Sequence, residues 1–170
     1  MKKLFIITMV CVLCFSLIAC DPRFFTYEYS DLSGSVSKVE LIEYNNPDIK
    51  MTSTLFSNRG IKRFDEKKME IVEELDAERL DDFLQDLAGI GLNNLWNQPD
   101  SHAGMCIRLI YPDGEYEVIS YPDPTIPGLL VRYNKKGKLV KYIGSVSNRE
   151  DFVDIVDKYF NKECEIITVE

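Results

Sequence analysis

The order of patterned segments predicts an α+β fold: a mainly antiparallel sheet of about five to six strands with two helices packed on one face. Three observations carry this expectation. Two turn signatures, Pro112-Asp113-Gly114 and Asn134-Lys135-Lys136-Gly137, each lie between two strand-like runs. Two segments, one in mid-chain and one near the end, place apolar residues at helical spacing. The elements then run strand, strand, helix, four strands, helix.

Residues 36–44 (VSKVELIEY) read as a strand, closed by Asn45-Asn46-Pro47-Asp48. Residues 50–67 show weak strand character around 52–56 and 60–64. Residues 69–75 read as a strand, since Met69, Ile71 and Leu75 share one face under a period of two and Lys68, Glu70 and Glu74 the other. A helix beginning there is the alternative. Asp76 is placed to cap the mid-chain helix, whose Leu80, Phe83, Leu84 and Leu87 form an apolar stripe that stops at Gly89 or Gly91. Asp81, Asp82 and Asp86 fall on or near its wet face.

After a loop with Trp96, Pro99 and His102, residues 106–111 and 115–121 flank the first turn, in which Pro presets φ and Gly supplies a positive φ. The alternate acids Asp113, Glu115 and Glu117 read as the wet face of this hairpin. Residues 129–133 and 138–143 flank the second turn. Ser147 and Glu150 have capping-box spacing ahead of Phe152, Ile155, Val156 and Tyr159, which predicts the last helix.

The first twenty residues have a different character. Lys2 and Lys3 precede an apolar run from residue 4 to 18, a signal-peptide pattern. As a helix that run spans roughly 22 Å, short of the roughly 30 Å hydrocarbon core of a bilayer. Leu17-Ile18-Ala19-Cys20 resembles the lipobox of bacterial lipoprotein precursors. The resemblance implies cleavage before Cys20, a diacylglyceryl group on its thiol and a place at the extracytoplasmic face of a cell membrane. It covers 20 of the 170 residues, and the mature domain carries no family motif. Asp21 is similar to the signal that retains such proteins in the inner membrane of a two-membrane host. The chain thus divides into a signal peptide (1–19), a short membrane-proximal segment (20–35) and one globular domain (36–170). The aromatic residues of the middle segment are expected to pack on the domain or on the lipid.

Loss of the leader with its two lysines takes the formal net charge from −8 to −10, which argues against nucleic acid as a partner. Charge is also uneven: residues 65–86 hold ten acidic groups, whereas 132–141 hold five basic groups and no acid. Lys135 and Lys136 are therefore candidates for contact with anionic lipid or an envelope polymer, although lysines also discourage edge pairing.

Few residues suggest catalysis. His102 is the only histidine. Its neighbour Ser101 points to the opposite side of an extended segment, so the expectation is an exposed loop histidine. His102 and Cys106 would need two further ligands to close a zinc site, and no matching motif is present. Cys106 and Cys164 could pair in an oxidising envelope, but two cysteines make no framework. Gly89-Ile90-Gly91 follows a helix instead of opening one and is no dinucleotide fingerprint. No cofactor or metal is implied. Candidate binding residues are Trp96, His102 and Tyr121 in two loops, 96–102 and 121–128, with Lys135 and Lys136 at the hairpin. The expected function is a non-enzymatic binding or interaction module tethered through Cys20, its partner an envelope protein or anionic polymer. An envelope hydrolase using paired carboxylates is the alternative.

Overall fold

Alternation along the two hairpins decides which side chains face which layer. The computed structural model describes residues 24–47, 51–53, 61–93, 97–99, 101–121, 128–146 and 148–161. The leader with Cys20, Trp96, residues 122–127, Ser147 and Cys164 lie outside the described residues. In chain order the elements are β1 (Phe24–Thr26), α1 (Tyr29–Leu32), β2 (Lys38–Tyr44), β3 (Met51–Ser53) and β4 (Met69–Glu74). There follow α2 (Leu80–Ala88), β5 (Gly91–Asn93), β6 (Asn97–Pro99), β7 (Gly104–Ile110), β8 (Tyr116–Ser120), β9 (Gly128–Tyr133), β10 (Leu139–Val146) and α3 (Arg149–Tyr159).

Eight strands form one antiparallel sheet in the order β1-β5-β10-β9-β8-β7-β2-β4, and β3 pairs with β6 in a separate ribbon. The class is α+β as expected, with more strands and one more helix than the periodicity suggested. The extra strands β1 and β5 are three residues each, too short to show a period.

One face of the sheet carries Val39, Leu41, Ile107, Leu109, Ile119 and Leu130, and α2 and α3 lay Phe83, Leu84, Leu87, Phe152 and Val156 on it. The opposite face carries Ile42, Tyr44, Cys106, Val118, Leu129, Val131 and Tyr133 and is covered by Ile61 and Phe64. The strap holding those two residues is fixed to the second hairpin: Phe64 N–H donates to Gly137 O at 2.8 Å and Leu139 N–H to Lys62 O at 3.1 Å. Gly137 has φ 70°, and a Cβ there would lie 2.3 Å from Phe64 O, so conformation and space both demand glycine. At the same end of this face Arg108 donates to the buried Glu40 at 2.5 and 2.8 Å, and Lys38 reaches Glu40 at 3.0 Å. A charge pair so enclosed holds register through its geometry more than through net stabilisation.

Three local expectations fail for physical reasons. A bulge between β2 and β4 pairs Leu41 with Glu73 and Ile42 with Ile71, which breaks the period of two; Ile71 stands 50% exposed on an edge strand. Asp76 makes no side-chain cap, because a 3₁₀ turn, Ala77–Arg79, intervenes before α2. The cap of α3 is Asn148, whose side chain accepts from Glu150 N–H at 3.1 Å, one residue later than the capping-box spacing places it. Two acids of the α2 wet face are also engaged, Asp81 by Tyr29 at 2.6 Å and Asp86 by Lys158 at 2.5 Å and Tyr159 at 2.7 Å. Among the described residues no helix is long and apolar enough to cross a membrane.

Candidate functional site: a polar cleft beside the N-terminal strand

β8 exposes successive residues to opposite faces, so Glu117 and Ile119 enter the helix side while Tyr116, Val118 and Ser120 enter the other. The helices do not reach Glu117. Its space is filled by the segment after β1, and Glu117 is only 3% exposed. The Tyr27 hydroxyl donates to Glu117 Oε2, and the Tyr111 hydroxyl is hydrogen-bonded to the same carboxylate. Arg132, opposite Glu117 on β9, places Nη1 3.6 Å from Oε1 and donates through Nε to Glu115 at 2.8 Å. The guanidinium lies 4.2 Å from the Tyr111 ring centroid, a cation–π contact that fixes its plane.

Burial pushes the Glu117 carboxyl above its ordinary range, against the lowering effect of its two tyrosine bonds, Arg132 and Lys141. Tyr27 and Tyr111 are raised for the same first reason, burial, and then by the negative charge beside them. Above this cluster opens a cleft of about 520 Å³, within the size range of small-ligand sites. Phe25, Tyr27, Leu92 and Ile143 supply apolar wall, Ser30 and Asp31 of α1 form one rim, and the exposed Lys141 lies on the other side. The arrangement can hold a ligand by shape and hydrogen bonds. At the floor, Glu117 is held by Tyr27, Tyr111 and Arg132, and Arg132 in turn by Glu115.

Glu117 is the residue that sequence reasoning missed. The alternate acids after Gly114 look like a wet face, and Glu115 and Asp113 fit that description. A helix-side position for Glu117 would follow only from knowing that the 24–35 segment folds over it; the aromatic density of that segment, Phe24, Phe25, Tyr27 and Tyr29, is the signal that pointed there.

The expected site residues do not converge. His102 is 1% exposed instead of lying on an open loop. Its Nδ1 contacts Ser120 Oγ and its Nε2 lies 2.9 Å from Tyr133 Oη, beneath the rings of Tyr44, Phe64 and Tyr133. A neutral imidazole has one donor and one acceptor, and each faces a hydroxyl able to serve either role. Burial holds its pKa down to about 3. This Ser–His contact is sealed from solvent, and with both ring nitrogens engaged it is no place for a metal. Cys106, also buried and free, has its thiol pushed up to about 12 by burial and is unreactive for that reason. Tyr121 accepts from Arg149 Nε at 2.5 Å and packs edge-on against Phe152. Lys135 and Lys136 are exposed at the hairpin turn. Trp96 lies outside the described residues. Among those described, no three His, Cys, Asp or Glu side chains are grouped to hold a metal.

Comparison with family models, with curated proteins and with solved structures gives no match to this chain.

Proposed function

We propose that the protein is a membrane-tethered bacterial lipoprotein whose domain is a non-enzymatic binding module outside the cytoplasm, and that the Tyr27–Glu117–Arg132 cleft is its recognition site. The observation that supports this reading is the internal neutralisation of the cleft floor. Glu117 accepts from two tyrosines and faces Arg132, so the cluster is preorganised to shape a pocket. The tether rests on the lipobox, and only Asp21, Pro22 and Arg23 separate Cys20 from β1, the strand leading into the cleft wall.

The test is recovery of the lipidated protein from its own envelope in mild detergent, beside Ser30→Trp, which fills the cleft from an exposed rim position. A stoichiometric ligand or partner kept by the parent protein and lost by the variant, with thermal stability unchanged, is the expected result. Equal retention by both, or none by either, removes the cleft from the function.

The hydrolase alternative draws support from one observation, the raised Glu117 carboxyl in an aromatic-walled cleft, which suits a general acid. It would also need a second carboxylate to activate water; Glu115 is held by Arg132 at 2.8 Å, which leaves Asp31 and Glu28 on the cleft rim for that part. Hydrolysis of any envelope polymer that Glu117→Gln abolishes would decide for this reading.

A further inference from the structure

We infer that the tip of the β9–β10 hairpin, joined by the strap that crosses the opposite face, is a membrane-contact site for anionic phospholipid headgroups. This rests on the tethering proposed above and goes beyond it by assigning the surface that meets the bilayer.

The first support is a cationic cluster that sequence proximity does not show. Lys135, Lys136 and Lys138 belong to the hairpin; Lys62 and Arg63 are seventy residues earlier and are brought beside it by the strap. All five are exposed. Arg63 and Lys138 stand directly opposite each other in an antiparallel bridge, where like charges destabilise the pairing. An anion shared between them relieves that repulsion. The hairpin also carries Val140, 48% exposed, one of three large apolar side chains left open among the described residues. Basic side chains around an exposed apolar one suit the headgroup boundary of a bilayer. Two acids lie nearby: Asp113 on the neighbouring turn, whose Oδ1 accepts from Glu115 N–H at 2.9 Å, and the exposed Asp65 next to Phe64 on the strap, whose Oδ1 accepts from Lys67 N–H at 3.2 Å.

The second support is direction. β1 pairs Phe24 with Asn93 and Thr26 with Gly91, and β10 pairs Ser145 with Asn93 and Val146 with Leu92. The N-terminal end of β1 therefore points along the sheet toward the start of β10, the same way as the hairpin tip. From the level of Ser145 to Leu139 is about 20 Å of strand, and Cys20 lies four residues before Phe24, a reach of at most about 14 Å. An anchor on so short a lead cannot carry the tip clear of the bilayer in that direction.

The test uses the full lipidated protein in a Cys164→Ser background, with a fluorophore placed through Lys136→Cys or, at the opposite end of the sheet, Asn45→Cys. Each is reconstituted in vesicles of phosphatidylcholine alone or with about one-third phosphatidylglycerol, doped with a headgroup nitroxide quencher. The expected result is quenching at position 136 at least about twofold above position 45 on anionic vesicles, reduced by high salt. Lys135→Glu with Lys136→Glu, the label moved to the tip through Lys138→Cys, should weaken tip contact roughly fivefold per lysine while flotation persists. Flotation and the intact mass of the Cys20 peptide report the tether alone. A floating, acylated protein with equal quenching at positions 136 and 45 overturns the hairpin contact and leaves the tether standing. A protein without acyl mass that does not float overturns both.

Discussion

Glu117 and Ser120 stand three residues apart on β8, yet they serve two polar clusters of opposite design. Ser120 belongs to the closed one, where His102 sits between two hydroxyls under a lid of aromatic rings and every partner is neutral. Glu117 belongs to the open one, where a carboxylate and a guanidinium face each other at the floor of a cleft. The comparison shows how one sheet uses burial in two ways. A neutral group satisfied on all sides can be sealed and then specifies packing; a charged pair is costly to seal, and here it remains at the edge of a solvent-filled space.

The contrast can be broken most severely at the closed site. His102→Ala leaves Ser120 and Tyr133 hydroxyls buried without their partner and opens a cavity, and the expected loss in urea denaturation is about 3–4 kcal/mol. The pH dependence comes next. His102 has a folded pKa of about 3 against 6.5 unfolded, so the unfolded chain takes up the proton first and stability falls as pH drops below 6.5. Between pH 7 and 5 the loss is about 2 kcal/mol, and denaturation curves of His102→Gln should lack that component. Glu117 has the opposite sign. Its folded pKa lies above the unfolded 4.5, so its contribution is fully present below 4.5 and is lost as pH rises through the folded value. Glu117→Gln should therefore flatten the profile on that limb while His102→Gln flattens the other.

A smaller effect is expected from Tyr27→Phe, which removes one hydrogen bond to Glu117: about 1 kcal/mol, with faster hydrogen exchange in β1 than in β8. Uniform acceleration across the sheet would show that Tyr27 has no special part in docking the N-terminal segment. The smallest is Lys141→Ala. Stability should change by less than about 0.5 kcal/mol, because the side chain is exposed, while the Glu117 carboxyl, followed by carbon NMR, should titrate at higher pH for want of a nearby positive charge.

The fold was legible in the sequence where period and turn chemistry agreed. Pro112-Asp113-Gly114 yields a turn closed by Gly114 N–H to Tyr111 O at 2.9 Å with Gly114 at φ 84°, and the Phe152, Ile155, Val156, Tyr159 stripe is buried as its spacing implies. What escaped were features set by distant partners. Three-residue strands have no period, so β1 and β5 are specified by the neighbours they complete. A bulge in β4 cannot be read without its partner β2. The environments of His102 and Glu117 are each decided by chain far away in sequence, the Ser120 and Tyr133 hydroxyls for one and the Tyr27 segment for the other. Local polarity placed both outside, and tertiary contacts placed both in. The cleft was invisible for the same reason, since its walls come from residues 25–35, 92, 111–117 and 132–143.

The strand order also constrains when the fold can close. β1 is the first described strand to be made, but its partner β5 lies some sixty-five residues downstream, and β5 joins the main sheet only through the last two residues of β10. Synthesis delivers the N-terminus first, so the segment that walls the cleft waits, with Phe25 and Tyr27 unburied, until nearly the whole chain has emerged. Pairings of such wide sequence separation form slowly. The cleft therefore cannot close before β10 is made, and the N-terminal residues that complete it are the ones nearest in sequence to Cys20.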